Sequence, residues 1–335
     1  MILIDSLYIN NSGGRILLNY LVDTLESENI ETLYVFDERC RGGFDFIPES
    51  RRIYMSPSFA IRTLFYFKNR KRFTKVLCFG NIPPNLRLKS LVYTYFHQPM
   101  FLAVPKDFGF TKKIIFNIKK LILSLLKANS DFWLVQSELM KNNFLLRFNE
   151  GPEKVLVVPF YPPLSCNEKS MDRSCSYLYV SGGSPHKNHH RLIEAFSMFY
   201  SEKKIGELIL TIDHNFTEII DLINKKKKEG INIRNLGFVN RNDLVSEYQK
   251  AAYVIYPSLA ESFGLGLIEG VENGCQIIGA DLPYTYEVCE PSITFDPLNV
   301  NDIVLALEQS INQIVKPTKQ VIANEIDKII TILRN

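Results

Sequence analysis

Two glutamates, Glu261 and Glu269, stand with seven residues between them, and that stretch reads SFGLGLI. It follows an apolar strand-like run, Tyr253–Tyr256, and a Pro-Ser turn. A glycine-bearing loop at a helix start presents backbone N–H groups and the positive end of the helix dipole, which together favour phosphate. The flanking carboxylates cannot bind phosphate, but they can accept hydrogen bonds from hydroxyls. The segment therefore predicts a ligand that combines phosphate with several hydroxyls, such as a nucleotide-sugar.

A second segment, SGGSPHKNHHRLIEAF over residues 181–196, places Lys187 between a glycine turn and a helix. A cation there can neutralise a diphosphate, and the helix start adds N–H donors; the alternative is a solvated lysine beside a helix cap. The neighbouring His186, His189 and His190 lack metal-site spacing, because neither an H-E-x-x-H motif nor a carboxylate set accompanies them. The sequence also contains no D-x-D motif, so no metal is expected.

The motif from Glu261 to Glu269 resembles that of retaining glycosyltransferases of family 4, which have the GT-B fold. Residues 235–240 (NLGFVN) resemble the segment that lines the nucleobase pocket in this family, and residues 274–279 resemble the strand after its signature helix. The resemblance is strong over residues 177–300 and looser over the N-terminal half. It implies an α/β protein with two Rossmann-like parallel-sheet domains that face a central cleft.

The resemblance also implies roles for the matched residues. Glu261 binds sugar hydroxyls, Glu269 binds the ribose, and Lys187 stabilises the diphosphate leaving group, so catalysis is mainly electrostatic and positional. The other donor-binding residues implied in this half are Phe263, Gly264, Leu265, Gly266, Gly237, Phe238 and Ser258. Family members usually carry an arginine where this sequence has Gly182. The diphosphate then has one cation fewer, or another residue supplies it.

The N-terminal half adds weaker candidates. Gly13 and Gly14 lie in a predicted loop, residues 10–14, that in the family approaches the donor phosphate from the opposite domain; a simple turn is the alternative. His97 resembles the family histidine that faces the donor sugar, and it is the third predicted catalytic residue beside Glu261 and Lys187. The alternative is an ordinary histidine at a strand end. Ser137 is a weaker candidate for the site, and its position is at least as consistent with a helix N-cap.

Length and residue order set the architecture. A chain of 335 residues is long for one domain and comfortable for two. Strands alternate with helices in both halves, which predicts parallel sheets. We predict domains at 1–164 and 176–318, a linker at 165–175, and a C-terminal helix within 319–335 that can cross back to the first domain. With 46% hydrophobic and 22% charged residues the composition is that of an ordinary globular protein.

Charge is divided unevenly along the chain. Residues 1–165 hold 22 Lys and Arg against 14 Asp and Glu, a balance of +8, whereas residues 166–335 have a balance of −5. A basic half suggests an anionic partner: a membrane surface, a phosphorylated acceptor or nucleic acid. No RNP-like pattern supports RNA binding. The six cysteines are irregularly spaced, and reduced, largely buried thiols in a cytoplasmic protein are expected.

Residues 110–129 predict a basic amphipathic helix. At about 100° per residue, the lysines gather on one arc, at Lys112, Lys113, Lys119, Lys120 and Lys127. The opposite arc is apolar, and Phe116 and Leu123 fall on the lysine side. Such a helix can lie on an anionic membrane through its lysines, or it can pack its apolar arc on the core with a solvated lysine face.

Together these features favour a retaining, metal-independent glycosyltransferase that moves a sugar from a nucleotide-sugar to a glycan or lipid-linked acceptor in bacterial surface polysaccharide synthesis. No cofactor is expected, because the nucleotide-sugar is a co-substrate. This interpretation is consistent with a cytoplasmic protein attached peripherally to the inner face of the plasma membrane. Two alternatives stay open: a non-catalytic GT-B subunit that binds sugar or nucleotide, and a sugar-nucleotide epimerase on the same fold.

Overall fold

The computed structural model of the chain describes residues 1–102, 110–164 and 173–335. Most of the predicted linker, at 165–172, and Cys166 lie outside this part. The cysteines described by the structure all carry free thiols, and Cys175 is exposed while the others are buried. Among the described helices, none is long and apolar enough to cross a membrane.

The chain forms two compact units. Unit 1 comprises Met1–Pro162 and Ala323–Asn335, and unit 2 comprises Pro163–Ile322. The C-terminal segment therefore belongs to unit 1, where it is held by side-chain contacts. Lys75 Nζ donates to the carbonyl oxygen of Ile332 at 2.7 Å.

Unit 1 contains a seven-stranded parallel sheet in the described part of the chain, in the order β3-β2-β1-β4-β5-β6-β7. Its strands are β1 Ile2–Ser6, β2 Thr32–Asp37, β3 Arg52–Met55, β4 Lys75–Cys78, β5 Leu91–Phe96, β6 Phe132–Val135 and β7 Val155–Val157. Its helices are α1 Ser12–Ser27, α2 Phe59–Asn69, α3 Phe110–Leu126 and α4 Glu138–Phe148. The central strands are apolar and buried, as expected when helices cover both faces of a parallel sheet.

Unit 2 repeats this plan with a six-stranded parallel sheet, in the order β10-β9-β8-β11-β12-β14. The strands of this sheet are β8 Ser174–Tyr179, β9 Glu207–Leu210, β10 Ile233–Asn235, β11 Ala251–Tyr256, β12 Gln276–Ala280 and β14 Ile293–Phe295. Two further short strands of unit 2, β13 Cys289–Glu290 and β15 Lys319–Gln320, pair with each other. Its helices are α5 His189–Lys203, α6 Thr217–Lys228, α7 Leu244–Lys250, α8 Leu265–Glu272, α9 Pro283–Val288 and α10 Val300–Asn312. The α/β class with two Rossmann-like parallel sheets is thus confirmed.

The C-terminal helix, α11 Ile326–Arg334, begins later than the apolar pattern indicates. The pattern predicts a run over 321–333, but β15 pairs with β13 in an antiparallel ribbon just before it. Val321 and Ile322 extend this contact, since both of their amides donate to the carbonyl oxygen of Val288. The apolar residues at the start of the run therefore serve a strand contact, and only the later ones form the helix.

One buried ion pair ties α2 of unit 1 to the sheet. Arg62 Nε donates to Asp5 Oδ2 at 2.8 Å, and both side chains are almost fully buried. Tyr66 donates its hydroxyl to the same oxygen at 2.5 Å. The remaining Arg62 donors reach the carbonyl oxygens of Ile82 and Pro83. The guanidinium thus joins the end of β1, helix α2 and the segment after β4.

We predict that Arg62→Ala lowers the free energy of unfolding of unit 1 by about 3–5 kcal/mol, because it leaves the Asp5 carboxylate buried without its cation. The readout is urea unfolding followed by the fluorescence of Trp133, the single tryptophan of the chain, which is buried in unit 1. Arg70→Ala, at the exposed end of α2, is the matched control and should change the unfolding free energy little. Equal stability of the two variants would contradict this account.

Candidate functional site

The site in unit 2 begins at the carboxyl ends of two neighbouring strands. β8 and β11 pair in parallel, so the loops that follow them emerge side by side. The amide of Leu259 donates to the carbonyl oxygen of His186 at 2.7 Å, and Ser258 Oγ reaches the same oxygen at 3.3 Å. Tyr284 in turn donates to the carbonyl oxygen of Ser258 at 2.7 Å. Ser258, predicted to bind donor, is fully buried here and joins the two loops.

Lys187 and Glu261 meet where these loops meet. Lys187 Nζ lies 2.5 Å from Glu261 Oε1, and the side chains are only 18% and 10% exposed. Tyr256 donates its hydroxyl to the same oxygen at 3.1 Å, and Tyr179 donates to the carbonyl oxygen of Lys187 at 2.9 Å. Burial and the charge of Glu261 raise the pKa of Tyr256, so that its phenol stays a donor. Two predicted catalytic residues are therefore in direct contact.

Asn188 fixes the backbone beside Lys187. It adopts the left-handed conformation with φ 62°, which Asn tolerates better than most residues. Its Nδ2 donates to the carbonyl oxygens of Pro257 and Pro297, at 3.1 and 2.7 Å. Arg191 donates to Asn188 Oδ1 at 2.9 Å. The loop that carries the lysine is therefore held by the loops after β11 and β14.

The glycines next to Glu261 shape the start of α8. Gly264 has φ 74° and is the N-cap residue, a conformation that favours glycine. Its carbonyl oxygen accepts the amides of Leu267 and Ile268, so the amides of Leu265 and Gly266 precede the first donors of the helix. A Cβ on Gly266 would lie 3.1 Å from the Tyr256 ring. Gly266 therefore also lets α8 approach β11 closely. Phe263, the residue before the cap, is buried.

Glu269 is buried inside α8, with 5% of its surface exposed, and has two partners. Arg241 Nε donates to Oε1 at 2.8 Å, and Tyr248 donates its hydroxyl to Oε2 at 2.9 Å. Burial and the carboxylate charge raise the pKa of Tyr248. Each carboxylate oxygen keeps the capacity for a second hydrogen bond. Glu269 therefore has acceptor capacity for a hydroxyl with both partners in place.

The segment predicted to line a base pocket follows β10. Asn235 Oδ1 accepts the amides of Ile212 and Gly237, at 2.8 and 3.4 Å. Gly237 has φ 73°, and no atom within 4 Å would obstruct a Cβ there. Phe238 is 77% exposed, so one face of an aromatic ring is accessible beside this turn. These residues belong to unit 2, like both glutamates and Lys187.

The glycine turn after β8 has two different glycines. A Cβ on Gly182 would meet only the Phe216 ring at 4.0 Å, whereas a Cβ on Gly183 would lie 2.4 Å from it. The position that carries arginine in the family is thus sterically open in this chain. His189 Nε2 lies 3.1 Å from the carbonyl oxygen of Gly182 and donates to it. Burial lowers the pKa of His189 to about 4, so the ring is neutral near pH 7.

The three histidines near Lys187 make different contacts. His189 bonds within the glycine turn, His190 is half-exposed at 3.5 Å from Glu218, and the His186 backbone joins the two loops. Over the described ranges, no group of three His, Cys, Asp or Glu side chains is arranged to hold a metal ion.

The predicted N-terminal candidates lie in unit 1. The prediction of a loop at 10–14 is wrong in its extent, because α1 starts at Ser12 and Gly13 and Gly14 form its first turn. First-turn amides need no intrahelical partner, so glycine is tolerated there. A Cβ on Gly14 would lie 3.4 Å from His97 Nε2, so the two predicted residues are neighbours. Ser137 caps α4 by accepting the amide of Met140 at 3.2 Å.

His97 is held by one asparagine. Its amide donates to Asn81 Oδ1 at 2.7 Å, and its Nε2 lies 3.3 Å from Asn81 Nδ2. Its Nδ1 is buried and has no hydrogen-bond partner among the described residues. Burial lowers the pKa of His97 to about 4, so the ring is neutral near pH 7.

Comparison with known proteins agrees with the predicted family. Residues 169–328 match the model of the family described as Glycosyl transferases group 1. The chain is 23% identical over 232 residues to the O-antigen chain mannosyltransferase RfbU of Salmonella typhimurium, covering 68% of this chain but only 61% of that relative. The family match covers just under half of the chain and almost all of unit 2, and it agrees with the family that the sequence predicts.

Two solved structures show the same fold. Sucrose-phosphate synthase from Thermosynechococcus elongatus has a TM-score of 0.72 at 16% identity, over 92% of this chain and 88% of that one. Anabaena HepE in complex with UDP-glucose has a TM-score of 0.66 at 15% identity, over 93% of this chain and 89% of that one. The predicted GT-B fold is confirmed. Assignment to family 4 and retention of configuration stay predictions.

We predict that the stability of unit 1 falls as the pH drops from 7 to 5, in part through His97. The unfolded ring, with a pKa near 6.5, takes up a proton before the folded ring does, so the contribution of the neutral folded ring is lost between about pH 6.5 and 4. The loss between pH 7 and 5 should be about 2 kcal/mol larger in the wild type than in His97→Gln. Urea unfolding followed by Trp133 fluorescence measures it. Parallel pH profiles would show that the folded ring titrates normally.

Proposed function

We propose that the chain is a retaining, metal-independent glycosyltransferase that moves a sugar from a nucleoside-diphosphate sugar to a glycan or lipid-linked acceptor. We place it in bacterial surface polysaccharide synthesis, on the cytoplasmic side of the membrane. The observation that carries the proposal is the Lys187–Glu261 pair at 2.5 Å beside the glycine start of α8. This arrangement puts a cation, early helix amides and a hydroxyl acceptor next to one another.

The diphosphate is proposed to bind between Lys187 and the start of α8. An ammonium group has three donors, so Lys187 can keep Glu261 and still contact a phosphate oxygen. The amides near Gly264, Leu265 and Gly266 add donors at the positive end of the helix dipole. Charge that grows on the leaving diphosphate is then stabilised by groups already in place. This account needs no metal ion for that purpose.

The sugar and nucleoside are proposed to bind on either side of the diphosphate. Glu261 accepts from sugar hydroxyls, and Lys187 and Tyr256 orient that carboxylate. Glu269 accepts from ribose hydroxyls, with Arg241 and Tyr248 orienting its carboxylate. The exposed ring of Phe238 is suited to stack on a base, because a planar aromatic face binds any base without a matched hydrogen-bond pattern.

The names of the relatives suggest where to look for the donor. RfbU is a mannosyltransferase, and the HepE structure contains UDP-glucose. We therefore propose a screen of nucleoside-diphosphate sugars for thermal stabilisation, with mannosyl and uridine donors first, because a ligand that binds only the folded state raises Tm. Donors that stabilise are then incubated with and without acceptor glycans. Binding without transfer indicates a non-catalytic subunit, and donor isomerisation without acceptor indicates an epimerase.

Glu269→Gln should weaken donor binding, because it removes the charge from a hydrogen bond to ribose in a buried site. The expected loss is about 1.5–3 kcal/mol, roughly tenfold to a hundredfold in Kd. Titration calorimetry with the stabilising donor measures it. Glu308→Gln, which removes a glutamate paired with Lys203 at 2.9 Å in the same unit, is the control. Unchanged affinity in a folded Glu269→Gln variant would remove the ribose assignment.

Lys187→Gln should lower kcat more than donor affinity, because the charge of the leaving group is largest in the transition state. Initial rates at saturating donor, with and without EDTA, test both parts of the proposal, and the wild-type rate should be unaffected by EDTA. Lys203→Gln is the matched control. If the variant loses affinity but keeps its kcat, Lys187 binds ground and transition states alike and is not catalytic.

A further inference from the structure

Helix α3 turns its apolar arc outward. Ile114, Ile118, Leu121 and Leu125 are between 42% and 73% exposed, and Ile115 beside them is exposed as well. The alternative in which this arc packs on the core is therefore wrong. An aliphatic ridge of this length on a surface helix needs an explanation, because contiguous apolar patches mark interaction sites.

The opposite side of α3 packs on unit 1. Leu123 is fully buried, and Phe116 lies 6.1 Å from the Phe101 ring. Lys127 on this side donates to the carbonyl oxygen of Phe148 and lies 3.2 Å from Glu150. The pKa of Lys120 is lowered by its burial. Lys120 and Lys127 thus lie towards the packed side, while the aliphatic ridge is outermost. The side chain of Lys112 lies outside the described residues.

Helix α2 repeats this arrangement. Its inner side holds the buried Arg62 and Tyr66. Its outer side has four apolar side chains between 45% and 59% exposed, Phe59, Ile61, Leu64 and Phe67. Four basic residues follow at the end of the helix and are exposed, Lys68, Arg70, Lys71 and Arg72.

The two ridges lie on the same face of the sheet. β5 contributes Val92 to the core under α2 and Phe96 to the core under α3, and side chains four residues apart in a strand share a face. Two consecutive residues, Pro84 and Asn85, also form hydrogen bonds to α2 and to a residue just after α3. Asn85 Nδ2 donates to the carbonyl oxygen of Phe59 at 2.8 Å, and the carbonyl oxygen of Pro84 accepts from Asn129, just after α3, at 2.9 Å.

The stretch of chain that carries the two ridges is strongly basic in sequence. Residues 50–130 contain sixteen Lys and Arg and a single acidic residue, Asp107. Two copies of such a surface would repel each other, which disfavours self-association through it. Nucleic-acid binding by apolar side chains relies on aromatic rings, whereas most of the α3 ridge is aliphatic. Aliphatic side chains rimmed by cations match the acyl chains and headgroups of an anionic bilayer.

We propose that α2 and α3 form one membrane-docking surface, which we call the two-helix surface: Phe59, Ile61, Leu64, Phe67, Ile114, Ile118, Leu121 and Leu125 with the basic residues around them. The aliphatic and aromatic side chains enter the interface between headgroups and acyl chains of an anionic bilayer. The surrounding cations contact the lipid phosphates. Apolar insertion therefore contributes to the attachment, in addition to attraction between charges, and docking is independent of nucleotide-sugar binding in unit 2.

The test is cosedimentation of the full chain with vesicles of phosphatidylcholine alone or mixed with phosphatidylglycerol, at low and high salt. The variant Ile118→Gln/Leu121→Gln/Leu125→Gln keeps every charge and changes only exposed side chains. It should bind anionic vesicles about tenfold or more weaker than the wild type, because three apolar side chains no longer enter the lipid. Binding of the wild type to neutral vesicles should be weaker, and its binding to anionic vesicles should fall with salt.

The matched control is Leu298→Gln/Leu305→Gln/Ile314→Gln, which removes three similarly exposed apolar side chains from unit 2. It should pellet like the wild type. Unchanged Trp133 fluorescence and Tm establish that the α3 variant is folded. Equal pelleting of the α3 variant and the wild type on anionic vesicles would overturn the proposal. A second result would also overturn it: the wild type binds no vesicles but forms a dimer in size-exclusion chromatography, and the α3 variant does not form that dimer.

Discussion

A carboxylate that leaves water must find a cation or several donors, and this requirement organises both units. In unit 1 the Asp5–Arg62 pair joins a strand, a helix and a loop. In unit 2 the Lys187–Glu261 pair lies just before α8, and the Arg241–Glu269 pair involves a glutamate within it. Breaking one partner of such a pair costs several kcal/mol, whereas the intact pair contributes little to stability by itself. Under the proposed function, their role in unit 2 is to hold charged groups in place for a ligand.

The sequence predicts much of unit 2 because its signals are local. A glycine that needs positive φ, an apolar strand before it and a helix after it lie within twenty residues of Glu261. Parallel strands then bring Lys187 to the same edge of the sheet, although the sequence does not show that it contacts Glu261. Arg241, Tyr248 and Tyr256 were not predicted as site residues from the sequence. Arg241 is 28 residues from Glu269, and no spacing rule links a lone arginine to a distant buried carboxylate.

In unit 1 the sequence is less informative, and the reason is packing. Helical periodicity in α3 separates an apolar arc from a basic arc, but it does not say which arc faces the sheet. Leu123 and Phe116, the two apolar residues on the lysine side, decide it by filling the core around Trp133. The same limit applies at Gly13 and Gly14, where glycine suggests a loop although the backbone is helical because the first turn tolerates it. Neither outcome is visible without the neighbouring elements.

The proposed function requires unit 2 to hold a nucleoside-diphosphate sugar between Lys187 and the start of α8. The most direct measurement is a crystal structure of the protein with a donor selected by thermal stabilisation. The account predicts diphosphate oxygens within hydrogen-bond distance of Lys187 Nζ and the amides of Gly264–Gly266, with a sugar hydroxyl on Glu261. A donor bound in unit 2 with its diphosphate away from both Lys187 and α8 would contradict it.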